Sequence, residues 1–379
     1  MAQRDADFRK PLRPSPQDLE AIEKDVSDIP NLQQTLLEKD KDLHRPDRVA
    51  HQYQIAGSKV ILRVAEELPE ELRGVGLFEP GTEHVGIGRI STGLGGPHAE
   101  FHPDFLGLML AFQTRKGKRV DFLAINDPSS PADDHHAFMD LLRATGELAG
   151  DRNFFVEQIA FTSDFAKRRG ARAVAHVVRQ TARTSLSSTA YQTYWTGIVE
   201  VRSTAAKFSL VPVRDENRNP GISPGERHLT EEWARRQAKG DIEFHLDWIP
   251  FLSERKTPTE GLTEPWKEGH KKTVGTVIFP KADLASEEQR LWATLASEMG
   301  ANPGNWVHDE ADSIPEPATR FGVARKIAYG MSQKGRNALD PQFYQEVFVT
   351  GEIGEELAKE LRRRREEKER ERHVSSAPI

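Results

Sequence analysis

The chain has 379 residues, 37% of them hydrophobic, and a formal net charge of -6 at pH 7, enough length to bury a sizeable core in one large or two ordinary domains. It contains no cysteine, which excludes disulfides, thiolate nucleophiles, zinc–cysteine sites and iron–sulfur clusters and leaves any bound metal to N and O donors. The slight acidity gives no general electrostatic reason to bind nucleic acid.

Residues 1–45 read as a polar N-terminal arm. Its opening "MAQRDADFRKPLRPSPQDLE" has no apolar segment of the signal-peptide kind, Pro11, Pro14 and Pro16 crowd together, and "NLQQTLLEKDKDL" predicts a short helix. From about 47 to 127 come strand-like runs separated by turn signals: "KVILRVAEE", "GVGLFEP", "HVGIGRIST", "FLGLMLAFQT" and "RVDFLAIND". Glycine-punctuated strands in succession predict an antiparallel barrel or sandwich. The longest apolar stretch, "FLGLMLAF", falls far short of the roughly 20 residues of a membrane span, and a cytoplasmic location is the expectation. Residues 135–183 predict helices. Strands resume with "AKFSLVPV", with "DIEFHLDW", whose Ile242, Phe244, Leu246 and Trp248 alternate onto one side, and with "TVGTVIFP". Helices are predicted from Ser286 to Glu298 and from Arg325 to Arg336. The tail, 341–379, reads as a charged helix: residues 352–372 carry eight acidic and eight basic side chains, including Arg362–Arg365. Such a helix is either solvated or bound to a partner.

The helix "RKIAYGMSQKGR" places Arg325, Tyr329, Ser332 and Arg336 on one face. A free phenol has a pKa of about 10, so a tyrosinate near neutral pH needs a cation beside it, such as an arginine one turn away or a ferric ion. Tyrosinate is one of the axial ligands of haem iron. The plainer reading is a half-buried helix on which Tyr329 covers the core and the arginines meet solvent.

That helix resembles the proximal helix of the haem catalase superfamily, in which R-x3-Y-x2-[S/T]-x3-R carries the iron-ligating tyrosine. Other segments are similar in the same order. "RVAH" at 48–51, followed by Gly57, resembles the start of the catalase barrel with its distal histidine, and "VGIGRIST" resembles the next barrel strand. "GLMLAFQTRKGKRVDFLAINDP" resembles the hairpin entering the distal pocket, and "VGTVIF" and "NPGN" follow ahead of the tyrosine helix. The resemblance spans residues 46–340 and stops short of the helical domain that follows in full catalases, so a smaller catalase-related branch is the better comparison. It implies an α+β fold: an antiparallel β-barrel with surrounding helices and haem b buried between barrel and proximal helix.

The same resemblance implies roles. Tyr329 would ligate iron and Arg325 would keep it deprotonated. His51 would be the acid–base residue that moves the peroxide proton, and Asn126 would orient the peroxide. Arg48, Arg89 and Arg336 would partner the haem propionates, and Phe138 would lie beside the haem or simply pack in the core. The expected activity is decomposition of hydroperoxides, organic ones favoured over disproportionation of hydrogen peroxide because the later domain is missing. Relatives that rearrange fatty-acid hydroperoxides give a second outcome, and a haem sensor or carrier without turnover a third. The expected partners are a peroxide and a reductant of unspecified chemistry, with room for a homo-oligomer. A separate metal reading rests on His98, His102, Asp133, His135 and His136, which could suit non-haem iron or zinc.

Overall fold

Nine strands pair in the computed structural model, which describes residues 14–39, 43, 45–93, 99–148, 154–182, 186–213, 221–267, 270–315 and 317–375. They are β1 (Gln54–Val64), β2 (Glu83–Thr92), β3 (Leu106–Gln113), β4 (Arg119–Ile125), β5 (Tyr194–Thr196), β6 (Val199–Val201), β7 (Thr204–Pro212), β8 (Ile242–Pro250) and β9 (Lys272–Phe279). The helices are α1 (Pro16–Val26), α2 (Ile29–Lys39), α3 (His135–Leu148), α4 (Phe154–Arg169), α5 (Ala171–Thr181), α6 (His228–Lys239), α7 (Glu287–Glu298), α8 (Arg320–Gly335), α9 (Val347–Thr350) and α10 (Glu355–Ser375).

The sheet order is β5-β4-β3-β2-β1-β9-β8-β7-β6, and β5 also pairs with β7. That last pairing, Tyr194 opposite Leu210, closes eight strands into an antiparallel barrel. Period-2 alternation decides which side each residue faces. On β4, Val120, Phe122 and Ala124 enter the barrel core, as do Phe244, Leu246 and Trp248 of β8. Asp121, Leu123 and Ile125, the odd residues of β4, face out. "GVGLFEP" is the exception among the expected strands. Gly74 and Gly76 take φ of 77° and 56° and fold the run into turns, leaving Leu77 and Phe78 buried.

Two helical layers cover the barrel's outer face. α7 lies on β1 at Gly57, where a Cβ would stand only 2.8 Å from the Ala296 Cβ and 2.9 Å from the Ala293 Cα. The charged tail helix docks on α7: Leu357, Ala358 and Leu361 are buried with Leu291, Trp292 and Leu295. On the other side, α8 packs against α1, α2 and α3, sharing a core of Ile22, Val26, Leu32, Met139, Ala324 and Ala328. The described part of the N-terminal arm is therefore two helices backing the tyrosine helix. No helix among the described residues is long and apolar enough to cross a membrane.

Candidate active site

A cavity of about 250 Å³ lies between α8 and the barrel. Arg48, His51, Arg89, Phe138, Arg325, Tyr329 and Arg336, seven of the residues expected to form the site, line it.

His51 sits on the bend ahead of β1 with φ of 57°, an uncommon conformation for a residue other than glycine. Its backbone is pinned there: its N–H donates to Gly93 O at 2.8 Å, and its carbonyl accepts from Arg89 Nη2 at 2.7 Å. The ring rests over β3 at Gly107, where any Cβ would collide with the Nδ1 and Cε1 atoms. Nδ1 lies 3.1 Å from the Thr92 carbonyl and 3.3 Å from Ser91 Oγ. A carbonyl only accepts, so Nδ1 carries the proton and the lone pair of the neutral ring is on Nε2. Burial, and then the positive charges of Arg89 and Arg325, push the His51 pKa down to about 4. At neutral pH the ring is an uncharged base.

Tyr329 comes from the opposite wall. The Arg325 guanidinium lies over its ring, 5.6 Å from the centroid, and over Phe321 at 5.9 Å. No hydrogen bond joins Arg325 to the Tyr329 hydroxyl among the described residues, so the two meet through charge and ring face. Ser332, the third member of the stripe, also lines the cavity, and its Oγ accepts from the buried Gln33 Nε2 at 3.3 Å.

The three remaining arginines gather at one end. Arg89 is 4% exposed and Arg336 7%. Burial, and after it the neighbouring Arg48 charge, lowers the pKa of both. Arg48 Nη2 donates to Ser297 O at 2.6 Å and Arg336 Nη2 to Met299 O at 2.7 Å, so both cap the C-terminus of α7. Asp47 and Glu298 are the carboxylates beside them. Burial would raise the Asp47 pKa, but Arg48, Lys368 and Arg336 outweigh that and hold it below its ordinary value.

No family model matches the sequence, and no curated protein matches it significantly. Solved structures do match. A fungal catalase superposes with a TM-score of 0.61 at 14% identity, over 80% of this chain and 61% of its own. A bacterial catalase gives 0.60 at 18% identity, over 82% and 61%, and catalase A from Saccharomyces cerevisiae gives 0.61 at 16%, over 80% and 63%.

The chain has the catalase fold.

It spans about three-fifths of the length of those catalases. Within the catalase fold one expected residue is misplaced. Asn126 does not line the cavity. Its amide is occupied in closing the barrel end: Oδ1 accepts from Leu106 N–H at 2.8 Å, and Nδ2 donates to Gln192 Oε1 at 2.6 Å. Apolar Ile125 stands at the cavity instead. Phe138 is at the wall, its ring edge-on to Phe321 at 5.4 Å. Gly107 and Ser91 were not singled out by sequence reasoning, although Ser91 stands in the "RIST" of the resembling strand and Gly107 opens the next.

Among the described residues the alternative metal residues do not assemble as a set, and His102 is not part of the group that gathers at Asp25. His98 lies outside the described residues, and Asp133 accepts from Thr263. His135 and His136 meet Asp25 at the start of α3. Arg143 pairs with Asp25 there at 3.3 Å, and the positive end of α3 faces the group, both of which oppose a cation.

Proposed function

We propose that this protein is a haem-dependent oxidoreductase that breaks hydroperoxides, working as a peroxidase and favouring organic hydroperoxides over disproportionation of hydrogen peroxide. One observation carries the reading: Tyr329 and a neutral, Nδ1-tethered His51 face a single cavity from opposite walls.

The donors suit haem b. Tyr329 offers an oxygen ligand, and the Arg325 guanidinium lies over its ring. Arg48, Arg89 and Arg336 crowd three positive charges around the carboxylates of Asp47 and Glu298. A ligand with two carboxylates would relieve that repulsion and satisfy the remaining donors. Haem iron bound through Tyr329 would supply the redox chemistry of O–O cleavage.

His51 Nε2 accepts the proton of the incoming hydroperoxide and returns it to the departing oxygen, the Thr92 carbonyl holding the ring in the tautomer that can do so. Asn126 has no part, since its amide is engaged elsewhere. The cavity wall of Ile125, Phe138, Leu262, Trp195 and Phe321 offers apolar surface to an alkyl chain, which supports the organic substrate.

The test compares haem-loaded wild type and His51→Ala with cumene hydroperoxide and with hydrogen peroxide, each with an electron donor. We expect cumene hydroperoxide to be the faster substrate, and His51→Ala to keep its haem while losing about 10²–10⁴-fold in turnover. Hydrogen peroxide far outpacing every alkyl hydroperoxide would sink the substrate preference. Isomerised product without oxidation of the donor would assign rearrangement instead.

A further inference from the structure

We propose that the charged C-terminal helix is a latch on the cofactor anchor: Arg364, acting through Glu298, fixes the arginines that hold the anionic edge of the haem. This rests on the haem reading above and adds to it a function for the tail.

Glu298 is the last residue of α7 and is 5% exposed. One carboxylate oxygen takes Arg45 at 2.5 Å and the other takes Arg364 at 3.0 Å. Its backbone carbonyl accepts from Arg336 Nη1 at 3.3 Å, and its flanking carbonyls, Ser297 O and Met299 O, accept from Arg48 and Arg336. One residue thus carries a cavity arginine on its backbone and the tail on its side chain. Arg364 is 8% exposed, and its guanidinium also reaches Asn337 O at 3.0 Å, next to Arg336 in the chain. One turn on, Lys368 lies 4.0 Å from the carboxylate of Asp47, which itself faces Arg48 at 3.5 Å. Two residues of α10 therefore contact the two acidic side chains around which the cavity arginines are arranged.

The energetics favour coupling over incidental packing. A buried carboxylate held between two guanidiniums costs little only while both are present, because removing one leaves the charge under-compensated and free to re-pair. Arg48 and Arg336 already bond the carbonyls of Ser297, Glu298 and Met299, and drawing either toward the Glu298 carboxylate takes it from the cavity. The other ion pairs joining α10 to α7, Arg362 and Arg365 with Glu287, lie at the far end of α7. They stabilise docking without touching the anchor.

This contrast sets the experiment. Haem release is followed by transfer to an excess of a haem-scavenging apoprotein, for wild type, Arg364→Met, which keeps the aliphatic stem, Glu298→Gln, and the control Arg362→Ala. Thermal unfolding of the haem-free forms and the ligand-sensitive absorption bands of the loaded forms are recorded alongside. Arg364→Met and Glu298→Gln are expected to release haem about tenfold faster, the lower end for loss of an outer-sphere partner, with the tyrosinate bands unchanged and with Arg362→Ala at the wild-type rate. Equal release rates in wild type and Arg364→Met overturn the proposal while leaving the haem reading intact. Acceleration by Arg362→Ala as large as that by Arg364→Met overturns it too, by showing that general loosening of α10 is sufficient. A wild type that takes up no haem removes both.

Discussion

At the scale of single residues, His51 shows how far the surroundings of a side chain set its proton affinity. A histidine on a bend is ordinarily half-protonated near pH 6.5, but here burial and the charges of Arg89 and Arg325 hold it unprotonated down to about pH 4. Two consequences have opposite ranges. Turnover that depends on a free Nε2 should be level from neutral pH to about 5 and fall as the pH passes through about 4. Stability behaves differently. Between about 6.5 and 4 the unfolded imidazole takes a proton that the folded one refuses, so the unfolded state binds more protons and folding weakens as pH falls through that window, by about 3 kcal/mol at most. Urea unfolding at pH 7 and pH 5 should show about 2 kcal/mol of this loss in wild type and a smaller one in His51→Gln. Equal losses would mean that the ring titrates normally. The identity of His51 was legible in "RVAH", but its tautomer and its depressed pKa were not, since Thr92 and Gly107 approach it from separate strands. Asn126 shows the converse: its residue type was visible, whereas its partners, Leu106 and Gln192, were not.

At the scale of elements, the periodic segments were legible and the context-dependent ones were not. β8 alternates Ile242, Phe244, Leu246 and Trp248, and all four are buried. α8 runs from Arg320 to Gly335, beginning a turn and a half before the polar stripe. α6 went unrecognised because five of the twelve residues of "HLTEEWARRQAK" are charged and few are apolar; its signal was the spacing of Leu229, Trp233 and Gln237, all buried on one face. The tail illustrates the limit of charge patterning. Its alternating signs read as a solvated or partner-bound helix, yet Leu357, Ala358 and Leu361 attach it to α7. Truncating the fully buried Leu361 to alanine should therefore cost about 2–5 kcal/mol in chemical unfolding. A change near zero would show that α10 is not part of the cooperative fold.

At the scale of the molecule, the barrel acts as a wall. Its interior is filled by Phe122, Phe208, Phe244 and their neighbours, and the cavity lies against its strands and α8, which α1, α2 and α3 back. Residues from the bend at 48–51, from β2 and from α8 meet there although they are far apart in sequence. Their convergence was foreseeable only through resemblance, because no local pattern encodes it. The catalase fold follows from the superposition, and the proposed chemistry rests on Tyr329 and His51 lining one cavity. The most direct measurement is the absorption spectrum during haem titration of wild type and Tyr329→Phe. The account predicts stoichiometric uptake with a high-spin ferric tyrosinate spectrum in wild type, and loss of that spectrum in the variant. No uptake by wild type, or the same spectrum from both proteins, would contradict it.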